Sequence, residues 1–180
     1  MVKDRNTREM NEICKTCKRE GIDPECLSNR VATILRFRNK KESNKFAYAI
    51  RRHEMELSGN HDLIGKTKRA IYELRDLEAN DEDVLVKNLV WLSGLGLLDR
   101  MIDDSINLAA SSFASVGVDY YKPILELRYD GGVGEQWWII SRKINLSRSQ
   151  TNVRRTEAIL AMGIAFYTCI ADYYISMLKE

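Results

Sequence analysis

"TNVRRTEAILAMGIAFYTCIADYYISML", residues 151–178, is the stretch whose reading decides the fold. Ile159, Met162, Phe166, Ile170, Tyr173 and Met177 recur every three or four positions, one stripe of an α-helix. Leu160, Ile164, Tyr167, Tyr174 and Leu178 fill a neighbouring stripe. A helix apolar nearly all round belongs inside a core. Its uncharged run, Ala158 to Ala171, is 14 residues, short of the ~20 that a bilayer span takes. No membrane span is therefore predicted.

Other helices are predicted around this one. Met10, Ile13, Cys14 and Cys17 share a face over residues 5–20, and Gly21 stops that helix. Asp23-Pro24 supplies a capping oxygen and then a proline whose missing N–H is no loss at the first helical position. The helix it opens, about 24–38, faces inward through Leu27, Val31 and Ile34. A third, about 43–57, is predicted to bury Phe46, Ile50, His53 and Leu57. Ser58-Gly59-Asn60 breaks the chain, with Asn60 or Asp62 as the expected cap of a fourth helix carrying Leu63, Thr67, Ala70, Leu74 and Leu77. "ANDEDVLV", residues 79–86, places three acids in a first turn, where the positive helix end favours them. Gly94 and Gly96 weaken the apolar helix that starts there, and Ile102, Ile106, Ala109 and Phe113 mark a further helix.

The pattern changes near residue 123. Leu125, Leu127 and Tyr129 alternate with Glu126 and Arg128, then come "DGGVG" (130–134) and the aromatic, β-branched run Trp137-Trp138-Ile139-Ile140. This predicts a β-hairpin near 123–144. The expected fold is mainly α: an irregular helical bundle around a buried C-terminal helix, with that one β-hairpin. Its 180 residues suit a single domain, 1–180, with the basic residues 1–57 a candidate separate lobe.

The net charge of +2 conceals an asymmetry. Residues 1–52 carry 14 Lys/Arg against 7 Asp/Glu, residues 53–106 carry 6 against 12, and residues 107–180 carry 8 against 7. A basic arm on an acidic middle suits nucleic-acid binding, or complementary faces that meet within or between copies. The 44% apolar content argues against wholesale disorder. Four cysteines are too sparse for a disulfide scaffold, and "MVKDRNTREMNE" lacks the apolar core of a secretory signal. An intracellular, cytoplasmic setting is expected.

Four groups of residues could carry chemistry. His61-Asp62 in "HDLIGK", with His53 upstream and Asp99, Asp103 or Asp104 downstream, resembles the HD-type phosphohydrolases. That resemblance implies a helical site in which His and Asp ligands converge on a divalent metal. The eight-residue gap between His53 and His61, and the breaker "LSGN" before the pair, depart from the family's pattern. A helix start is the preferred reading. Cys14 and Cys17, with Cys26 and then His53 or Cys169, have the residue types of a zinc knuckle. Cys14 and Cys17 also keep the apolar register of Met10 and Ile13, and free cysteine packs as a small hydrophobe, so no metal is expected. Asp99, Asp103 and Asp104 on one helix, with Glu73 and Asp76 on another, could hold Mg²⁺. An exposed acidic face with Arg100 pairing to Asp104 is preferred.

The fourth group is basic. Arg36, Arg38, Lys40, Lys41, Lys45, Arg51 and Arg52 form one cluster, and Arg142, Lys143, Arg148, Arg154 and Arg155 another beside Trp137 and Trp138. Arginine next to aromatics is what single-stranded nucleic acid uses, phosphate neutralisation plus base stacking. The leading expectation is thus a non-enzymatic protein that binds RNA or another single strand, without cofactor. The alternative is an interaction module that assembles with itself or with a partner protein, and a metal-dependent phosphohydrolase ranks below both.

Overall fold

The computed structural model describes residues 7–39, 53, 59–77, 81–113, 116–129 and 136–178. The fold is mainly α, and no strand occurs among the described residues. Helix α1 is Arg8–Arg19 and α2 is Pro24–Asn39. Next come α3, Asn60–Arg75, α4, Glu82–Gly94, and α5, Leu97–Ser112. A π-helical turn, Gly117–Tyr121, runs into α6, Lys122–Tyr129. Helix α7 is Trp137–Lys143 and α8 is Arg148–Ala165. A second π-helical turn, Phe166–Ile170, joins α8 to α9, Ala171–Met177.

The starts obey local chemistry. Thr7 caps α1 by accepting the Met10 N–H at 3.1 Å, Asp23 accepts the Cys26 N–H at 2.9 Å before α2, and Asp81 accepts from Asp83 and Val84 before α4. Ser147 and Gln150 form a reciprocal capping box at α8. Helix α3 departs from expectation: its N-cap is Gly59, with no side-chain cap, so neither Asn60 nor Asp62 has that role. Gly96 adopts φ 67°, a left-handed backbone that separates α4 from α5.

The β-hairpin expected near 123–144 is not found. Its two arms are the helices α6 and α7, while residues 130–135 lie outside the described residues. Tyr121, Ile124, Leu125 and Tyr129 are buried at helical spacing. Buried Ile140 and Ser141, with half-buried Trp137 and Ile144, repeat that spacing through α7 and its C-cap. The short alternation of Leu125, Leu127 and Tyr129 fits both periods, and burial favours the helical one. The third predicted helix, about 43–57, also lies outside the described residues except for His53. That histidine, expected in the core, is exposed.

The long C-terminal element runs from Arg148 to Met177 and is long and apolar enough to cross a membrane, with 61% of its apolar window buried inside the protein. It packs against α1, α2, α5, α6, α7 and the first π-helical turn. Ala158 to Gly163 are buried in sequence, as is Phe166. Side chains such as Leu27, Ile34, Leu89, Leu98 and Met101 belong with it to one buried cluster. Each such side chain contributes about 1.5–3 kcal/mol by leaving water. Gly163 lets α2 come close, because a Cβ there would stand 2.8 Å from Val31 and 2.9 Å from Leu27.

Candidate nucleic-acid interface

Helix α7 and the start of α8 build a surface of arginine and tryptophan. Trp137, Ile140 and Ile144 turn α7 toward α6 and α8, which leaves Trp138 and Arg142, one turn apart, facing out. Trp138 is 53% exposed, the Arg142 guanidinium lies 5.2 Å from its ring centre, and its indole N–H donates to Gln136 Oε1 at 2.6 Å. Asn145 ends α7 in the left-handed region, φ 54°. The Leu146 N–H returns to the Ser141 carbonyl and the Asn145 N–H to that of Arg142. This tight reversal leads at once into the Ser147 cap, so Arg142 and Lys143 close one helix as Arg148 opens the next.

Arg148 and Arg155 lie two turns apart on the same side of α8. The Arg155 guanidinium is 4.9 Å from the Trp137 ring centre, and that of Arg128 on α6 is 5.3 Å from it. Cation–π pairs at such exposed sites contribute about 0.5–1 kcal/mol each. Arg128, Gln136, Trp137, Trp138 and Arg148 line a cavity of about 320 Å³. Arg142, Arg148 and Arg155 have no carboxylate partner among the described residues. Sequence reasoning passed over Arg128 because its segment read as a strand; helical spacing from Tyr121 onward was the signal that could have placed it.

Arg154 behaves differently from its neighbour. It pairs with the buried Glu157 at 2.7 Å and with Glu9 at 3.3 Å, over the Tyr120 ring. Burial opposes its charge, and the bonds to Glu157 and Glu9 outweigh that and raise its pKa above the ordinary value. Arg154 therefore fastens α1 to α8. Arg38 is also engaged: its side chain is 16% exposed and pairs with Asp103 at 2.8 Å and Asp99 at 3.8 Å on α5. The basic first third and the acidic middle thus meet within one chain at this point. Arg36 is exposed on the last turn of α2. Lys40, Lys41, Lys45, Arg51 and Arg52 lie outside the described residues.

Among the described residues the other candidate sites hold no comparable grouping. Ile13 and Cys17 are buried on α1, with Met10 and Cys14 half-buried beside them, and Cys26 is exposed. Burial pushes the Cys17 thiol up; the hydrogen bond to Asp23 does the same for Cys26. Both effects oppose the thiolate that metal binding uses. Among the described residues no three His, Cys, Asp or Glu side chains gather as a metal ion requires. His61 stands in the first turn of α3, and its side chain lies outside the described part of the chain. On the acidic helix, Asp99 and Asp103 take Arg38, and Asp104 accepts the Tyr174 hydroxyl at 2.9 Å.

Comparison with protein-family models, with curated proteins and with solved structures finds no match to this chain.

Proposed function

We propose that the chain is a non-enzymatic protein that binds single-stranded nucleic acid, RNA first among the candidates, through the α7–α8 surface. We read the scaffold as an irregular helical bundle around the C-terminal helix. The observation that carries the proposal is the set of three arginines, Arg142, Arg148 and Arg155, without carboxylate partners among the described residues and placed beside Trp137 and Trp138. Phosphates would meet guanidinium groups there and a base would meet an indole. Arg38 and Arg154 drop out of the expected set because their charges are met inside the fold. The test is fluorescence anisotropy of a labelled single-stranded RNA. The wild-type chain binds it, and the double substitution Arg142→Glu with Arg148→Glu abolishes binding. Equal affinity of the two proteins would remove the proposal.

Self-association is a second reading. Tyr173 and Met177 lie one turn apart on α9 and are both exposed, which supports an apolar contact between copies. Light scattering separates the possibilities: an apolar contact persists at high salt, and a contact of basic on acidic surfaces dissolves.

A further inference from the structure

Among the described residues, the α7–α8 surface offers one open tryptophan for stacking rather than a row of them. Trp91 is buried and its indole N–H is held by Thr67 at 3.1 Å. Trp137 is half-buried and already carries two guanidinium groups within 5.3 Å of its ring centre. That leaves Trp138, exposed and fixed in orientation by Gln136 and Arg142. The adjoining cavity, about 320 Å³, sits at the lower end of the size range of small-molecule sites.

We infer that this position takes one unstacked purine nucleotide of a strand: the base stacks on Trp138 and its phosphate pairs with Arg148. The inference rests on the single-strand reading above and narrows it. Gln136 spends its amide oxygen on Trp138, which leaves the amide NH₂ to donate to a ring nitrogen of the base. A purine is favoured over a pyrimidine because its larger π-face overlaps the indole more fully. With a single open indole and three arginines without carboxylate partners at this surface among the described residues, each further nucleotide of a long strand gains little there. The smallest ligand is then a purine nucleoside monophosphate, and affinity levels off within a few nucleotides.

The experiment titrates the full chain with adenosine 5′-monophosphate, cytidine 5′-monophosphate and inorganic phosphate, and with oligoadenylates of increasing length. Tryptophan emission reports stacking and anisotropy reports binding. Saturable quenching by the adenosine nucleotide, weaker quenching by the cytidine nucleotide and none by phosphate are expected. Trp138→Ala should weaken oligoadenylate binding about 5- to 150-fold, the span of a lost base–aromatic stack. Trp138→Phe should weaken it less. The exposed position of Trp138 keeps both variants folded, which circular dichroism checks. Oligoadenylate that binds the Trp138→Ala protein as tightly as the wild type overturns the stacking position and leaves the single-strand reading standing. So does affinity that climbs steadily with length. Absence of binding by every oligonucleotide removes both readings.

Discussion

Thr7, the cap of α1, donates its hydroxyl to the carboxylate of Glu157, 150 positions along the chain and fully buried. The same carboxylate accepts the Tyr121 hydroxyl at 3.0 Å and Arg154 at 2.7 Å. One acid thus joins α1, the first π-helical turn and α8.

Breaking this junction should cost more than its net contribution to stability. A buried ion pair contributes little over an apolar replacement, but losing one partner strands the other. Glu157→Ala is expected to destabilise by about 3–5 kcal/mol. Tyr121→Phe, which leaves the Arg154 pair in place, is expected to cost about 1.5–3 kcal/mol. Urea unfolding of both variants checks the order; Tyr121→Phe as costly as Glu157→Ala contradicts it.

Alkaline pH should unfold the protein through its buried tyrosines. Burial, then the Asp104 carboxylate, pushes Tyr174 up to about 12, from an ordinary 10.0. Burial and Glu157 push Tyr121 up as well. The folded state holds these protons after the unfolded chain has released them. Their stabilisation is complete below about pH 10 and is lost as pH rises toward the folded values. Thermal melts from neutral pH upward should show a drop in midpoint beginning near there, shallower in Tyr174→Phe. A flat profile contradicts this.

Acid acts on the opposite kind of group. Asn88 donates to Glu73 at 2.9 Å and Arg69 at 2.6 Å, and these bonds hold its carboxyl below the usual 4.5 despite some burial. The unfolded chain therefore takes up the proton first. The stabilisation is present above about pH 4.5 and lost as pH falls through the lowered value. Glu73 is partly exposed, so the effect is less than about 1 kcal/mol. Glu73→Gln, which keeps an acceptor for Asn88, should flatten the acid limb of a stability profile. An unchanged limb would count against the assignment.

Two glycines should differ in what a methyl group does. At Gly117 a Cβ would stand 2.0 Å from the Ala110 carbonyl oxygen, which is backbone and cannot move aside. At Gly163 it would meet the ends of Val31 and Leu27, which can shift. Gly117→Ala is expected to exceed the usual overpacking cost of about 1–3 kcal/mol, and Gly163→Ala to fall within it. Thermal unfolding of the two variants decides, and the reverse ranking contradicts the packing described.

The chain declared some of this structure openly. Asp23-Pro24 and Asp81 mark helix starts because a side-chain oxygen meeting an orphan N–H is a local event. The apolar register of residues 159–167 likewise marks a core helix without outside help, whereas its continuation to Tyr173 and Met177, read as the same stripe, ends at the surface. The hairpin failed because β-branched and aromatic residues at 137–140 have only a weak intrinsic preference, which packing against α6 and α8 overrides. Arginines of one patch had opposite fates for the same reason. Arg154 turns to Glu157 and Glu9 while Arg155 turns to Trp137, and no property of the adjacent pair in sequence separates them. The lone acid Glu157 at the edge of an apolar helical run was the one local hint that something must neutralise it.

The most direct measurement is the salt dependence of single-stranded RNA binding. For single strands, the logarithm of affinity falls about 0.7 per decade of salt for each phosphate neutralised. Arg142, Arg148 and Arg155 together then give a slope near about −2. Arg148→Ala is expected to make it shallower by about 0.7, and Arg38→Ala, whose charge Asp99 and Asp103 already hold, to leave it unchanged. A slope that ignores Arg148→Ala and responds to Arg38→Ala, or no association at any salt, contradicts the α7–α8 surface as the binding face.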